Sequence, residues 1–443
     1  MIRHLVSVDD FSVPEILELF GHARRFHEDL RAHAELCRGT ISASLFFEPS
    51  TRTRLSFESA MQRLGGGVLT AADMKSSSAV KGESLADTVR VVSGSYADLI
   101  ILRHPSEGSA RLAAKYSKVP VINAGDGSHE HPTQTLCDLY TLWIEKGRLE
   151  GLDVVLAGDL RYSRTIHSFV YALARFGANI VCVPQPGLGL PEYVVRRLRE
   201  EYATEPVRAD GQNLGELATE SDVVYMTPQK PHQLSLFTDS RGVPVERVDA
   251  VYMTRPQTER FGADDTLDHY MRLGKGAMAA GPLREAVVMH PLPRRDEISQ
   301  DLDDDPRSIY FEQAARGVPI RMAILGFLLG RLSIEARPPE ASAPLYGLDP
   351  LASPCSNPTC VTNTEVRHSE RAFRLTSRDP LRASCGFCDH ELPVGVVGCS
   401  TTRNFHAKNS SAARKIRPDH LIFFADESAA TQAGFASAVS ARS

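Results

Sequence analysis

Hydroxyl side chains and two guanidinium groups alternate over five positions at Ser50-Thr51-Arg52-Thr53-Arg54, directly after the apolar run Leu45-Phe46-Phe47. Beyond them Phe57, Ala60, Met61 and Leu64 keep the i, i+3, i+4, i+7 spacing of a helix until Gly65-Gly66-Gly67 ends it. The motif therefore falls where a buried strand hands over to a helix. A helix N-terminus offers unpaired N–H groups and the positive end of a dipole, and arginine adds a planar fork of donors matched to phosphate oxygens. That is a phosphate cradle built without a P-loop.

Other chemistry-bearing residues also follow apolar runs. Arg103-His104-Pro105 comes after Leu99–Leu102, and a glycine turn, Asn123-Ala124-Gly125-Asp126-Gly127, leads into His131-Pro132-Thr133-Gln134. His131 and Gln134, three apart, share one helical face. Gly158-Asp159-Leu160 is followed by Arg164, and Arg255 comes after Val251–Met253. Ligands of open α/β sheets bind at strand C-termini, so Arg52, Arg103 and His131 are expected to meet in one crevice. Arg164 and Arg255, two arginines in one crevice, suit two carboxylates, each held bidentately; the plainer alternative for either is structural ion pairing with acids such as Glu48. His290-Pro291-Leu292-Pro293 ends a strand with two prolines, which leaves its carbonyls to accept from a ligand amide.

The elements that must position these groups alternate. Short apolar runs at 41–47, 99–102, 119–122, 154–157, 180–183, 223–226 and 287–289 are separated by helix-period segments. Strands alternating with helices predict doubly wound parallel sheets. Two such domains are expected, 1–135 and 136–335, with Pro132–Trp143 as connecting helix and a last helix, about 313–332, packing back on the first domain. A proline-rich stretch, 336–350, reads as a linker. A cysteine-rich unit, 351–443, follows; its Ala- and Ser-rich end, after about 410, has no assignable role.

The 443 residues carry 50 basic and 55 acidic side chains, which gives no reason to expect a nucleic-acid partner. No stretch approaches the roughly 20 apolar residues of a membrane span, and the N-terminus starts with a capping box at Ser12–Glu15 rather than a targeting segment. A cytoplasmic protein is expected.

In their order, Ser-Thr-Arg-Thr-Arg, Arg-His-Pro, His-Pro-Thr-Gln, Gly-Asp-Leu with a following Arg, Tyr-Met-Thr-Arg-x-Gln and His-Pro-Leu-Pro resemble the catalytic chain of the aspartate carbamoyltransferase family over about residues 1–335. The resemblance implies a homotrimer with shared active sites that joins carbamoyl phosphate to L-aspartate, an early step of pyrimidine biosynthesis, with no metal in catalysis and no covalent enzyme intermediate. It assigns phosphate binding to Ser50, Thr51, Arg52, Thr53 and Arg103. Polarisation of the carbamoyl oxygen falls to His131 with Thr53 and Arg103, and the carbamoyl amine to Gln134 and the carbonyls of Leu292 and Pro293. Arg164, Arg255 and Gln257 match the aspartate-binding positions, and Ser77 and Lys81 match residues lent by a neighbouring subunit. Relative to the family pattern, the chain carries an extra stretch around 229–248 and has Val80 where some members have lysine.

Of eight cysteines, Cys355-x4-Cys360 and Cys385-x2-Cys388 form two knuckles, and four thiolates at such spacing make a closed tetrahedral zinc site, structural rather than catalytic. Cys399 stands outside that pattern. Cys355 to Glu365 resembles the zinc domain of the same family's regulatory chain, and 336–350 is too short for that chain's nucleotide domain. A catalytic chain fused to a docking module, with little response to ATP or CTP and with the zinc unit as the route to any higher assembly, is the expectation. Two rivals stand beside it. A carbamoyltransferase for ornithine would keep the cradle and His131-Pro132-Thr133-Gln134, but Arg164, Arg255 and Gln257 argue against it, since a cationic side chain would not suit two arginines. A catalytically dead scaffold would keep the fold alone.

Overall fold

A computed structural model of the chain describes residues 2–71, 82–209, 221–227, 248–255, 272–279, 283–339, 344–365 and 370–438. Ser77, Lys81, Gln257 and nearly all of the extra stretch 229–248 lie outside the described residues.

Four strands, β1 (Ile41–Phe46), β2 (Gly67–Ala71), β3 (Leu99–His104) and β4 (Val121–Asp126), form a parallel sheet in the order β2-β1-β3-β4. Every residue of β3 and β4 is buried, as a parallel sheet covered on both faces requires. β2 is the edge strand and mostly exposed; its short alternating run was hidden in the sequence behind the glycines that end the preceding helix. The second sheet, also parallel, runs β10-β9-β8-β5-β6-β7, from β5 (Asp153–Gly158), β6 (Asn179–Pro184), β7 (Val207–Arg208), β8 (Val223–Met226), β9 (Ala250–Met253) and β10 (Val287–Met289).

Helix α1 (Val13–Glu28) precedes β1; α2 (Thr51–Arg63), α3 (Leu85–Val91), α4 (Ser109–Tyr116), α5 (Pro132–Lys146), α6 (Arg164–Arg175) and α7 (Glu192–Tyr202) come between the strands, and α8 (Tyr310–Leu328) follows the last of them. α1 starts at a Ser12/Glu15 capping box with Pro14 in its first turn, as its sequence predicts. α8 returns to the first sheet. Ile320, Ile324 and Leu325 share a buried core with Leu19, Phe57 and Leu136, and Phe327 meets Phe11 edge-on at 5.4 Å. That core continues into Val154, Leu156 and Tyr225 of the second sheet, so the two sheets are packed through α5 and α8.

The C-terminal unit is antiparallel for the most part. β11 (Leu345–Gly347), β12 (Ala372–Arg378) and β13 (Leu381–Cys385) make one sheet, and β11 begins inside the proline-rich stretch. The Ala- and Ser-rich end is folded too, through residue 438. β14 (Val396–Cys399), β15 (Asn404–Ala407), β16 (Leu421–Phe424) and β17 (Ala436–Ser437) form a sheet in the order β16-β14-β15-β17 around Phe405, Phe423 and Phe424.

This unit rests on the first sheet. Its apolar core is continuous with Leu45, Ile100, Leu112 and Val121. Glu107 is paired at both ends, its N–H donating to Thr359 O (3.0 Å) and its carbonyl accepting from Val361 N (2.8 Å). Its carboxylate accepts from Asn357 Nδ2 (2.8 Å) and Thr359 Oγ1 (3.1 Å). Gly108 lets the surfaces close. At φ +82 a side chain there would be strained, and its Cβ would fall 2.7 Å from the Phe387 backbone.

Candidate active site

The C-terminal ends of the two parallel sheets face one cavity of about 650 Å³. β1 delivers Ser50–Thr53 on the first turn of α2, β3 delivers Arg103, and β4 delivers His131 and Gln134 at the start of α5. From the second sheet, β9 supplies Thr254 and Arg255, and β10 supplies Leu292 and Pro293. Arg164 is the first residue of α6.

α2 enters the cavity with its N-terminus uncapped. Ser50 is its cap residue, yet its side chain makes no cap hydrogen bond, unlike Ser12 before α1 and Ser84 before α3. The first N–H groups of α2 therefore remain for a ligand. Arg52 is lowered from its ordinary pKa by burial and then by the like charge of Arg255, which marks a site short of negative charge.

Arg103 is 7% exposed and held at two points, donating to Ala124 O (3.1 Å) and pairing with Glu48 (2.9 Å). The pair with Glu48 orients the guanidinium at the cavity wall. Gly125 makes room for it: at φ +113, a Cβ there would lie 2.9 Å from Arg103 Nη1 and 3.3 Å from the His131 ring.

His131 caps α5. Its Nδ1 accepts from the Gln134 backbone N–H (3.3 Å), and its own N–H donates to Ser168 Oγ (2.9 Å). A backbone N–H can only donate, so neutral His131 carries its proton on Nε2. Gln134 donates through Nε2 to Asp138 Oδ1 (2.8 Å), which turns its amide oxygen the other way. In the β10 loop, Leu292 stands at φ +53, a strained conformation for a branched residue. His290 fixes it, its Nδ1 accepting from Leu292 N (2.8 Å) while Nε2 meets Glu297 (2.8 Å).

Arg295, Gln313 and Arg321 also line the cavity and were not singled out from the sequence. Gln313, Gly317 and Arg321 recur every four residues along α8, so they share one face, a spacing that could have revealed them. Among the described lining residues five are arginines, Arg52, Arg103, Arg255, Arg295 and Arg321, and none is a carboxylate. Such a surface takes a ligand of several negative charges.

Comparison with known proteins gives the kind of enzyme. Residues 3–144 match the carbamoyl-P binding domain of aspartate/ornithine carbamoyltransferase, 228–328 match its Asp/Orn binding domain, and 353–394 match the metal binding domain of the aspartate carbamoyltransferase regulatory chain. The aspartate carbamoyltransferase catalytic subunit of Methanocaldococcus jannaschii is 45% identical over 331 residues, covering 74% of this chain and 98% of that protein. The chain belongs to the aspartate carbamoyltransferase family. The catalytic subunit of Thermoplasma acidophilum is 42% identical over 334 residues, with the same coverage. Among solved structures, the aspartate transcarbamoylase catalytic subunit of M. jannaschii aligns with TM-score 0.60 at 43% identity, over 74% of this chain and 98% of that one. The Trypanosoma cruzi aspartate transcarbamoylase in complex with N-(phosphonacetyl)-L-aspartic acid aligns with TM-score 0.59 at 33% identity, over 73% and 94%. The chain is an aspartate carbamoyltransferase that carries a regulatory-chain-like metal-binding unit on the same polypeptide.

In that unit Cys355, Cys360, Cys385 and Cys388 are buried, and their sulfurs all lie within 4.8 Å of one another. The Cys355–Cys388 and Cys360–Cys385 sulfur separations are 3.6 and 3.7 Å. Four sulfurs at about 2.3 Å from a central tetrahedral ion stand about 3.8 Å apart, so the set fits a metal held by thiolates alone. Cys399 is outside the cluster, its Sγ 3.1 Å from Thr401 Oγ1. Among the described residues no helix is long and apolar enough to cross a membrane.

Proposed function

We propose that the chain transfers the carbamoyl group of carbamoyl phosphate to the amine of L-aspartate, giving N-carbamoyl-L-aspartate and phosphate for pyrimidine biosynthesis. The observation that carries this reading is the cavity's five arginines with no carboxylate among its described lining residues, suited to a phosphate and a dicarboxylate bound together. The N–H groups of α2 with Ser50, Thr51, Arg52 and Thr53 hold the phosphate, with Arg103 at its carbamoyl end. His131 Nε2–H, Thr53 and Arg103 donate to the carbamoyl oxygen. Gln134 Oε1 and the carbonyls of Leu292 and Pro293 accept from the carbamoyl NH2. Arg164, Arg255 and Gln257 hold the aspartate carboxylates, and Ser77 and Lys81 enter from the neighbouring subunit of a homotrimer.

The aspartate nitrogen bonds to the carbamoyl carbon, giving a tetrahedral intermediate, which collapses as the bond to the phosphate oxygen breaks. Donors preplaced on the oxygen stabilise the tetrahedral oxyanion, and the departing phosphate takes the amine proton. Most of the acceleration comes from placing the two reactants. When zinc is bound, Cys355, Cys360, Cys385 and Cys388 hold it, and it supplies a closed cross-link rather than a reacting group.

A product assay tests the substrate assignment. Carbamoyl phosphate is supplied with L-aspartate and, separately, with L-ornithine; carbamoyl aspartate alone is expected. Turnover of ornithine, or of neither, would mean that Arg164 and Arg255 are misassigned or that the chain needs a partner. Zinc is tested by metal analysis and chelation. Chelation is expected to lower thermal stability and disturb assembly more than it slows an intact trimer. Loss of turnover from a trimer that stays assembled would contradict the structural role.

A further inference from the structure

Behind the cavity wall lies a carboxylate that does not touch the cavity. Asp138 is 2% exposed and sits on α5 one turn beyond Gln134. Its Oδ1 accepts from Gln134 Nε2 (2.8 Å) and Gln313 Nε2 (2.8 Å), and its Oδ2 accepts from Tyr252 OH (2.8 Å). Burial pushes its pKa up to about 7, against the pull of these same donors.

A carboxylate only accepts, so both glutamines must turn their NH2 groups towards it. Gln313 is fixed at its other end too, its Oε1 accepting from His290 N (2.8 Å). The buried acid thus joins α5, β9 and α8 to the loop that carries Leu292 and Pro293. Protonation would not undo this. Two amide donors already occupy Oδ1, so a proton would sit on Oδ2, where the Tyr252 hydroxyl can accept it.

We propose that Asp138 is a positioning residue that sets specificity for the carbamoyl group: by holding the NH2 of Gln134, it presents only the amide oxygen to the ligand. A carbamoyl NH2 can donate to that oxygen; the methyl of acetyl phosphate leaves it buried and unpaired. The proposal rests on the reading of Gln134 as a partner of the carbamoyl amine. Without Asp138 the amide can reverse and face the substrate NH2 with its own.

The test compares kcat/KM for carbamoyl phosphate and acetyl phosphate with L-aspartate in the full-length enzyme; acetyl transfer breaks and forms the same bonds and gives N-acetyl-L-aspartate and phosphate. In Asp138→Leu the preference for carbamoyl phosphate is expected to fall by about tenfold or more, with the acetyl reaction little changed. Asp138→Asn keeps an acceptor oxygen for the two glutamines and an amide for Tyr252, so it is expected to recover most of that preference. Gln134→Ala is expected to lose at least as much as Asp138→Leu, and combining the two to add little. A folded Asp138→Leu that keeps the preference while Gln134→Ala loses it overturns the role of Asp138 and leaves that of Gln134 standing. A preference unchanged in Gln134→Ala overturns the reading of Gln134 itself. Should the leucine variant not fold, a tenfold fall in Asp138→Asn overturns the proposal, because the acceptor would still be present.

Discussion

Arginine dominates two regions of this molecule, and the two use it in opposite ways. In the cleft, Arg52 and Arg255 repel each other across a lining that holds no acid among its described residues. Where the C-terminal unit docks, Arg111 of α4, Arg197 of α7 and Arg374 of β12 converge on the carboxylate of Asp389, at 2.7, 3.3 and 3.1 Å. His129 adds a fourth donor at 3.1 Å and also meets Asp126 at 3.2 Å. Arg197 further pairs with Asp9. Burial works against the charge on Asp389, yet Arg111, His129, Arg197 and Arg374 hold its pKa well below the usual carboxylate range. The dock supplies its own counter-charge, whereas no carboxylate is among the described residues that line the cleft. Asp389 also ties together three parts of the fold, since its partners come from both sides of the cleft and from its own unit. A buried charge cluster of this kind adds little net stability compared with apolar packing, but removing one member is costly.

That contrast is most sharply tested by one substitution in each region. Arg52→Ala is expected to lower kcat/KM by about a thousandfold or more, with Tm unchanged or slightly raised because a repelled cation has been removed. Asp389→Ala is expected to cost about 3–5 kcal/mol in stability, since three guanidinium groups lose their shared counter-charge. Its turnover while folded should stay near that of the parent. Thermal melts and steady-state kinetics on both variants decide the matter. Comparable destabilisation by the two would show that the cleft is balanced after all.

The sequence reveals the cleft far better than the dock, for a physical reason. Cleft residues sit at strand ends next to helix starts, so local patterns announce them: Ser50–Arg54 before a helix-period run, His131 before Pro132, Leu292 between prolines. Runs buried on both faces also mark β8 and β10 with their observed limits. The dock depends on pairs far apart in the chain, such as Arg111 with Asp389 and Glu107 with Asn357. Neither partner carries a local signature. Gly108 looks like any loop glycine until Phe387 is seen beside it. The C-terminal sheet was hidden by composition, since its Ala- and Ser-rich segments surround strands as short as β17.

A smaller effect, in pH, would sharpen the comparison. Burial opposes charge on His129, but Asp126 and then Asp389 raise its pKa well above the ordinary 6.5. A raised folded-state pKa contributes stability in full below about 6.5, and that contribution is lost as pH rises through the folded value. Asp389, depressed in the fold, works the other way: its contribution is complete above its ordinary 3.8 and is lost as pH falls through the depressed value. The dock should therefore be most stable between about pH 4 and 6.5, a tenfold difference in proton affinity between folded and unfolded chain being worth about 1.4 kcal/mol. His129→Gln is expected to flatten the decline of Tm on the alkaline side and leave the acid side in place. A decline of the same steepness in that variant would remove His129 from the account.

The smallest expected effect comes from a pair that crosses the same boundary in water. Lys115 of α4 meets Glu370 of the C-terminal unit at 2.8 Å, with side chains 38% and 79% exposed. Its charges have the same signs and join the same two surfaces as Arg111 and Asp389, one turn away on α4. If opposite charge alone held the unit in place, Glu370→Ala would resemble a mild Asp389→Ala. Exposed pairs are screened and pay side-chain entropy to form, so the expected shift in Tm is within about 1 °C. A shift approaching that of Asp389→Ala would mean that proximity of charge, not its burial among fixed donors, distinguishes the dock from the cleft.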